Sequence, residues 1–507
     1  MTTTLYRGGR VSTPEHPHAQ AMVVDSGRIA WLGTDDDATG HGGVDEIVDL
    51  EGALVLPAFV DAHVHLSHTG LGLRGADLRG TRHRGQALDR IAAVARTSPG
   101  RPIFAHGWEE QDWPDGRPLT STELAVAGGS ALVYASRIDG HSAVISDALA
   151  HASGAANFVG WLGDGWVDGD AKNAARAAFD SAITATQRRD DIELALRSAA
   201  AAGIAQVHEC GGPLLTSADD FRDVLDLGQR ADLPETIGYW AQAVTEPEQA
   251  RALVELHGAA GLAGDLNMDG SIGSHTAHLK TPYADRSGHV GTAFRTIGDV
   301  TEHVVACVKA GVQSGFHVIG DAGLDSALQG YAAAARLVGL EQLKATRPRL
   351  EHVEMPGAAD LELMVRLGIT ASVQPAFDAF WGGPDGMYAV RLGDRWSGLN
   401  PFSQFVEAGV PLAFGSDSPV TPFDSWGALR GAVLHRTPGQ GIPVPVAFAA
   451  HTVGGYAAAG QTGGVLQVGA WATFAVWDTP DDPRVGLPEH DPPLLRLVGR
   501  GNALTIQ

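Results

Sequence analysis

The apolar positions of the chain follow two regimes. Through the middle, short apolar runs of strand length alternate with Ala-rich stretches of helical character. The runs lie at 58–64, 204–208, 236–240, 265–269, 314–318, 349–353, 370–374 and 412–416, and helical stretches such as 191–201, 300–310 and 325–337 separate most of them. Eight strands alternating with helices predict an α/β fold, a parallel (β/α)8 barrel of the TIM type, with its chemistry at the C-terminal ends of the strands.

The two ends read differently. Residues 5–7, 21–33 and 46–50, and again 464–477 and 494–498, are β-prone runs punctuated by turn residues such as Asp25-Ser26-Gly27. Chain ends often lie close together. Residues 1–56 and 455–507 are therefore expected to build one small β-sandwich, with 57–454 forming the barrel. About 140 residues separate the first two barrel runs, far more than an ordinary βα connection, so roughly 67–200 reads as a folded insertion.

Composition narrows the function. The chain has 507 residues, of which 44% are hydrophobic and 19% charged, enough apolar side chain for a large core. Thirty-six Lys+Arg against 59 Asp+Glu leave a net charge of −23, which repels phosphate backbones and anionic lipid. The expected partner is a small-molecule substrate, not nucleic acid or a membrane, and a homo-oligomer is compatible with this surface. Cys210 and Cys307 are too few for a disulfide framework and lack CxxC spacing. With no leader-like apolar run at the start and no apolar stretch of ~20 residues, the reading is a reduced, cytoplasmic protein.

His63-Val64-His65 ends the first run. Residues two apart on a strand face the same side, so both imidazoles can share one cation. His317, His352 and Asp417 end the fifth, sixth and eighth runs and bring further donors to the same barrel face. Such nitrogen and oxygen donors suit a divalent metal, Zn²⁺ foremost, with Fe²⁺ or Mn²⁺ also fitting. Asp139 and His141, in the insertion, read either as a lid contacting substrate or as a turn. Trp108, Trp113, Gln374, Phe377, Trp381 and Arg395 fall on expected mouth loops, where aromatics can line an apolar pocket, although most are expected to be packing; Trp381 is taken as a substrate contact. Asp321 reads as a helix cap and His208-Glu209 as structural.

Pro57-Ala-Phe-Val-Asp-Ala-His-Val-His65, Phe316-His-Val-Ile-Gly-Asp321, Leu350-Glu-His-Val353 and Gly415-Ser-Asp-Ser-Pro419 resemble the metal-ligand signatures of the amidohydrolase superfamily. Asp139-Gly-His-Ser142 and Asp269-Gly-Ser-Ile-Gly-Ser-His-Thr-Ala277 point to its amidohydrolase-3, YtcJ-like branch. The resemblance spans nearly the whole chain. It implies hydrolysis of a non-peptide C–N bond of a small amide or formamide-like compound by metal-activated water. His63, His65, His317, His352 and Asp417 would be ligands, with Asp417 passing the proton and His352 either a ligand or a hydrogen-bond donor to the substrate oxygen.

One departure stands out. Many YtcJ-like members carry a carboxylated lysine on the fourth strand, where this chain has Asp265; Lys172, Lys280, Lys309 and Lys344 all lie elsewhere. Either the site is mononuclear, or Asp265, Glu209 or His275 substitutes; the shorter reach of Asp favours one metal. Two other readings compete: an aminohydrolase of a heterocycle, whose ligand pattern is the same, and a non-catalytic metal-binding or signalling descendant, suggested by the missing lysine.

Overall fold

A computed structural model of the chain describes residues 2–41, 43–110, 113–138, 142–480, 482 and 486–506. It divides into two compact units, residues 1–65 with 196–507, and residues 66–195.

The first unit carries an eight-stranded, all-parallel sheet. Its strands are β1 (Phe59–Val64), β2 (Ile204–Gly211), β3 (Glu235–Trp240), β4 (Gly261–Leu262), β5 (Gln313–Val318), β6 (Arg349–His352), β7 (Thr370–Val373) and β8 (Leu412–Phe414), hydrogen-bonded in that sequential order. Every residue of β1, β2, β5 and β6 is buried. That burial on both faces is why these strands read as apolar runs without alternation. Helices return between strands, and their ends carry ordinary stop and start chemistry. The helix Ile297–Ala310, for example, opens on a Thr296/Asp299 capping box and closes on left-handed Gly311.

The seam between β8 and β1 closes at the mouth. Asp417 N–H donates to His63 O at 2.8 Å and His65 N–H to Ser418 O at 2.9 Å. The Asp61 carboxylate spans the same seam, accepting from His63 N–H and Ser416 N–H at 3.2 and 2.9 Å. Only a glycine fits at 415, because a Cβ there would lie 2.6 Å from the His63 nitrogen.

The fourth strand departs from the expectation of 265–269. Gly264, at φ +81°, ends β4 after Gly261–Leu262, so Asp265 and Asp269 sit in the connection beyond the strand. The left-handed glycine interrupts the ladder, and the chain meets β5 again only in a single bridge between Asn267 and His317.

Both chain ends meet in two further sheets of this unit. Residues Arg28–Gly33, Ala21–Asp25, Thr3–Arg7 and Glu46–Asp49 form a four-stranded sheet. Arg10–Val11, Leu54–Pro57, Phe474–Trp477, Leu494–Gly499 and Asn502–Ala503 form a five-stranded one. Met22, Ile29, Val55, Phe474 and Val498 pack between them in one apolar cluster.

The second unit builds its own six-stranded sheet, with Ile103–Trp108 and Val133–Arg137 paired in parallel at its centre. Trp108 and Trp113 belong to its core: their indole N–H groups donate to Ala135 O and Thr81 O at 2.9 and 3.1 Å. They are packing residues. Asp139 and His141 lie outside the described residues.

Candidate metal centre

The ends of β1, β4 and β8 bring two imidazoles and two carboxylates together. His63 Nε2 lies 3.4 Å from Asp265 Oδ1 and 3.5 Å from Asp417 Oδ1. His65 Nε2 lies 3.3 Å from Asp265 Oδ2 and 3.1 Å from Asp417 Oδ1. Neighbouring donors on a tetrahedral cation with bonds of ~2.0–2.1 Å stand about 3.4 Å apart, and each of these imidazole–carboxylate separations is close to that, with Asp265 meeting the two imidazoles through different oxygens. His63 Nε2 and Asp265 Oδ1 are, in addition, buried without any hydrogen-bond partner. Buried polar atoms are normally paired. The donor set therefore fits a divalent metal of the kind that takes nitrogen and oxygen ligands.

Electrostatics agree with that fit. Burial pushes the Asp265 carboxyl up, but the His63 and His65 imidazoles overcome it and hold the group well below the usual carboxylate range. Burial likewise opposes charge on His65, yet Asp265 and Asp417 raise it well above an ordinary histidine. The carboxylates attract positive charge to this point, and a bound cation would take the place of those protons.

The neighbouring groups set tautomers. His63 Nδ1–H donates to Glu351 Oε2 at 2.9 Å and His65 Nδ1–H to the Cys210 carbonyl at 3.0 Å, which leaves each Nε2 facing the carboxylates. His352 donates its Nδ1–H to Gln374 Oε1 at 2.8 Å, and its Nε2 stands 3.9 Å from Asp265 Oδ1.

His317 is set apart. Its ring lies 4.4 Å from that of His352, its Nδ1 is unpartnered 3.9 Å from Asp269 Oδ1, and burial pushes its pKa down to about 4. It belongs to none of the three donor trios whose atoms lie within 4.8 Å of one another; these are His63–His65–Asp417, His63–Asp265–His352 and His63–Cys210–Glu351. Among the substitutes for the missing lysine, Asp265 reaches the centre. His275 instead pairs with Asp285 at 2.9 Å.

Two of these residues stand in left-handed backbone conformations, His352 at φ +72° and Asp417 at φ +57°. Such geometry costs ~1–3 kcal/mol per residue and concentrates at functional sites. Beside His352, Phe377 stacks at 6.0 Å and 9°, and Trp381 lies 4.7 Å from Phe377, half-buried. Arg395 does not face this wall of rings; it braces a loop through the Leu392, Thr281 and Pro282 carbonyls. Asp321 occupies the first position of the helix Asp321–Val338 and accepts the Lys280 N–H at 2.8 Å.

The amidohydrolase family model matches residues 46–491, most of the chain and all of the barrel. The chain belongs to the amidohydrolase family. This amidohydrolase is 23% identical over 469 residues to the putative amidohydrolase YtcJ of Bacillus subtilis, covering 85% of this chain and 84% of the relative. It is also 23% identical over 528 residues to the N-substituted formamide deformylase of Arthrobacter pascens, covering 91% and 90%. Among solved structures, an uncharacterised metal-dependent hydrolase from Pyrococcus horikoshii superposes with a TM-score of 0.78 at 23% identity, over 97% of this chain and all of the other. That likeness is one of fold. Among the described residues no helix is long and apolar enough to cross a membrane.

Sequence reasoning named Asp265 only as one substitute among three, and it missed Glu351 and Cys210 as hydrogen-bond partners of His63 and His65. A signal for Glu351 was present: a charged residue inside an apolar run, two positions after Arg349, is placed inward by strand alternation.

Proposed function

We propose that this amidohydrolase cleaves a non-peptide C–N bond of a small amide or formamide-like compound, with a divalent metal, Zn²⁺ in the first instance, held by His63, His65, Asp265 and Asp417. The observation that carries this reading is the His63–His65–Asp417 trio with Asp265 facing both imidazoles at 3.3–3.4 Å, where His63 Nε2 and Asp265 Oδ1 are buried and unpartnered. Full-length similarity to an N-substituted formamide deformylase supports the choice of substrate class. A divalent cation supplies Lewis acidity and brings the pKa of water toward neutrality.

The chain's own residues do the rest. Asp417 turns Oδ1 toward His63 and His65, and its Oδ2 takes the proton from the attacking water and returns it to the leaving nitrogen. His352 is fixed by Gln374 through Nδ1. Burial opposes its charge, but Asp265 and Asp417 raise its pKa, so its Nε2–H can donate to the substrate oxygen as charge develops there. Phe377 and Trp381 form an apolar wall beside that imidazole, suited to a hydrophobic substituent.

Turnover of a panel of N-substituted formamides, N-acyl amines and aminated heterocycles tests the reading. Formate or carboxylate release is expected from the amides. Ammonia released only from the heterocycles would replace it with the aminohydrolase reading. Asp417→Asn should lower turnover by ~10²–10⁴-fold, and an unchanged rate would remove Asp417 from the mechanism.

A further inference from the structure

Beneath the metal centre lies a buried ion pair that the proposed chemistry does not use directly. Arg349 and Glu351 both have no solvent exposure and, two apart on β6, face the same side. Arg349 Nε donates to Glu351 Oε1 at 2.6 Å and Nη2 to Oε2 at 2.9 Å. The same guanidinium reaches the neighbouring strands. It donates to Ala62 O on β1 at 2.7 Å, to Ser372 Oγ on β7 at 3.0 Å and to His208 Nδ1 on β2 at 3.2 Å, and it lies 4.5 Å above the Tyr239 ring of β3. One side chain thereby ties five of the eight strands together.

Glu351 does not give both oxygens to arginine alone. Its Oε2 also accepts the His63 Nδ1–H at 2.9 Å, and Arg349 holds the carbonyl of Ala62, the residue just before His63. The ring and the backbone of His63 are thus gripped from one hub. The opposite ring atom, Nε2, is the buried donor left without a partner at the metal centre. A buried ion pair by itself is weak evidence of stabilisation, since well-packed apolar residues often do as well. Its link to a candidate ligand is what distinguishes this one.

We infer that Arg349 and Glu351 are positioning residues for the metal centre: Glu351 fixes the Nδ1–H tautomer and orientation of His63, and Arg349 holds Glu351 in place. This rests on the assignment of His63 as a ligand. Outer partners of metal-bound histidines commonly contribute ~10–100-fold to metal affinity.

The test is Zn²⁺ affinity, measured by competition with a chromophoric chelator on protein shown to be folded by circular dichroism. Glu351→Gln, which keeps shape but loses charge, should bind Zn²⁺ at least ~10-fold more weakly than the parent. The uncharged double variant Arg349→Met/Glu351→Gln avoids an unpaired buried charge and should show the same loss. Either folded variant binding Zn²⁺ as tightly as the parent would overturn the inference. In the unaltered Zn²⁺-loaded protein with ¹⁵N-labelled histidine, His63 should carry its proton on Nδ1; a proton on Nε2 overturns the inference whether or not the variants fold. A parent that binds no Zn²⁺ at all would overturn the metal reading itself, a distinct result.

Discussion

Two buried arginine–carboxylate clusters in this protein look alike in outline and differ in what they leave over. In the unit of residues 66–195, Asp191 takes Arg101 Nη2 on both oxygens at 2.6 and 2.7 Å and Arg74 Nε at 3.2 Å. Those arginines keep water contact, with 16% and 38% of their side chains exposed. In the barrel, Arg349 and Glu351 are wholly enclosed, and one carboxylate oxygen also accepts from His63 of the candidate metal centre. Burial pushes the Asp191 carboxyl up even with two arginines beside it, whereas Arg349 and His63 hold Glu351 below the usual range despite complete burial. The lesson concerns connection more than strength. The Asp191 cluster stays among its own arginines and a neighbouring carbonyl, whereas the Glu351 pair continues to a histidine whose other ring nitrogen is unpartnered.

Breaking each cluster should separate these roles. Asp265→Asn removes a donor, not a brace, and should weaken Zn²⁺ binding by more than the ~100-fold upper range of outer partners; chelator competition reads it directly. Arg349→Met leaves the buried Glu351 carboxylate without its arginine and with only the His63 N–H as partner, so denaturant unfolding should show a loss of about 3–5 kcal/mol. Asp191→Asn leaves arginines that solvent can still reach. It should cost only ~1–2 kcal/mol in the same assay, with the Zn²⁺ affinity of the folded protein unchanged. A change in metal affinity for Asp191→Asn would dissolve the distinction between the two clusters.

A smaller effect is set by pH. His303 accepts the Val244 N–H on Nδ1 at 3.2 Å, and His451 donates Nδ1–H to Val60 O at 2.9 Å. Burial pushes both down to about 4. In the unfolded chain they titrate near 6.5, so over this interval the unfolded state binds more protons. Their stabilisation is complete above about pH 6.5 and is lost as pH falls toward 4, at up to about 1.4 kcal/mol per pH unit for each histidine. Unfolding midpoints at pH 7 and 5 should show this acid slope, and His303→Gln should make it shallower by one proton.

The barrel, seven of its eight strands and the convergence of His63, His65 and Asp417 were legible because apolar runs and strand-end positions are local features of the chain. Asp265 was harder. The strand ends at Leu262, and Asp265 reaches the histidines from the connection that follows left-handed Gly264. His317 shows the converse case: its strand end was readable, but its ring rests against His352 outside the donor trios.

Periodicity and residue type sufficed to say that this chain winds into a (β/α)8 barrel and that candidate metal-binding side chains crowd one end of it. Both are written in neighbouring residues, through strand alternation and through which side chains can donate to a cation. How the donors are shared could come only from the folded chain. That Asp265 stands in the centre, and that Glu351 on β6 holds the far side of His63 on β1, depends on contacts between residues 202 and 288 positions away from His63. Distances of 3–4 Å across that much chain follow from how the strands close and where one of them ends.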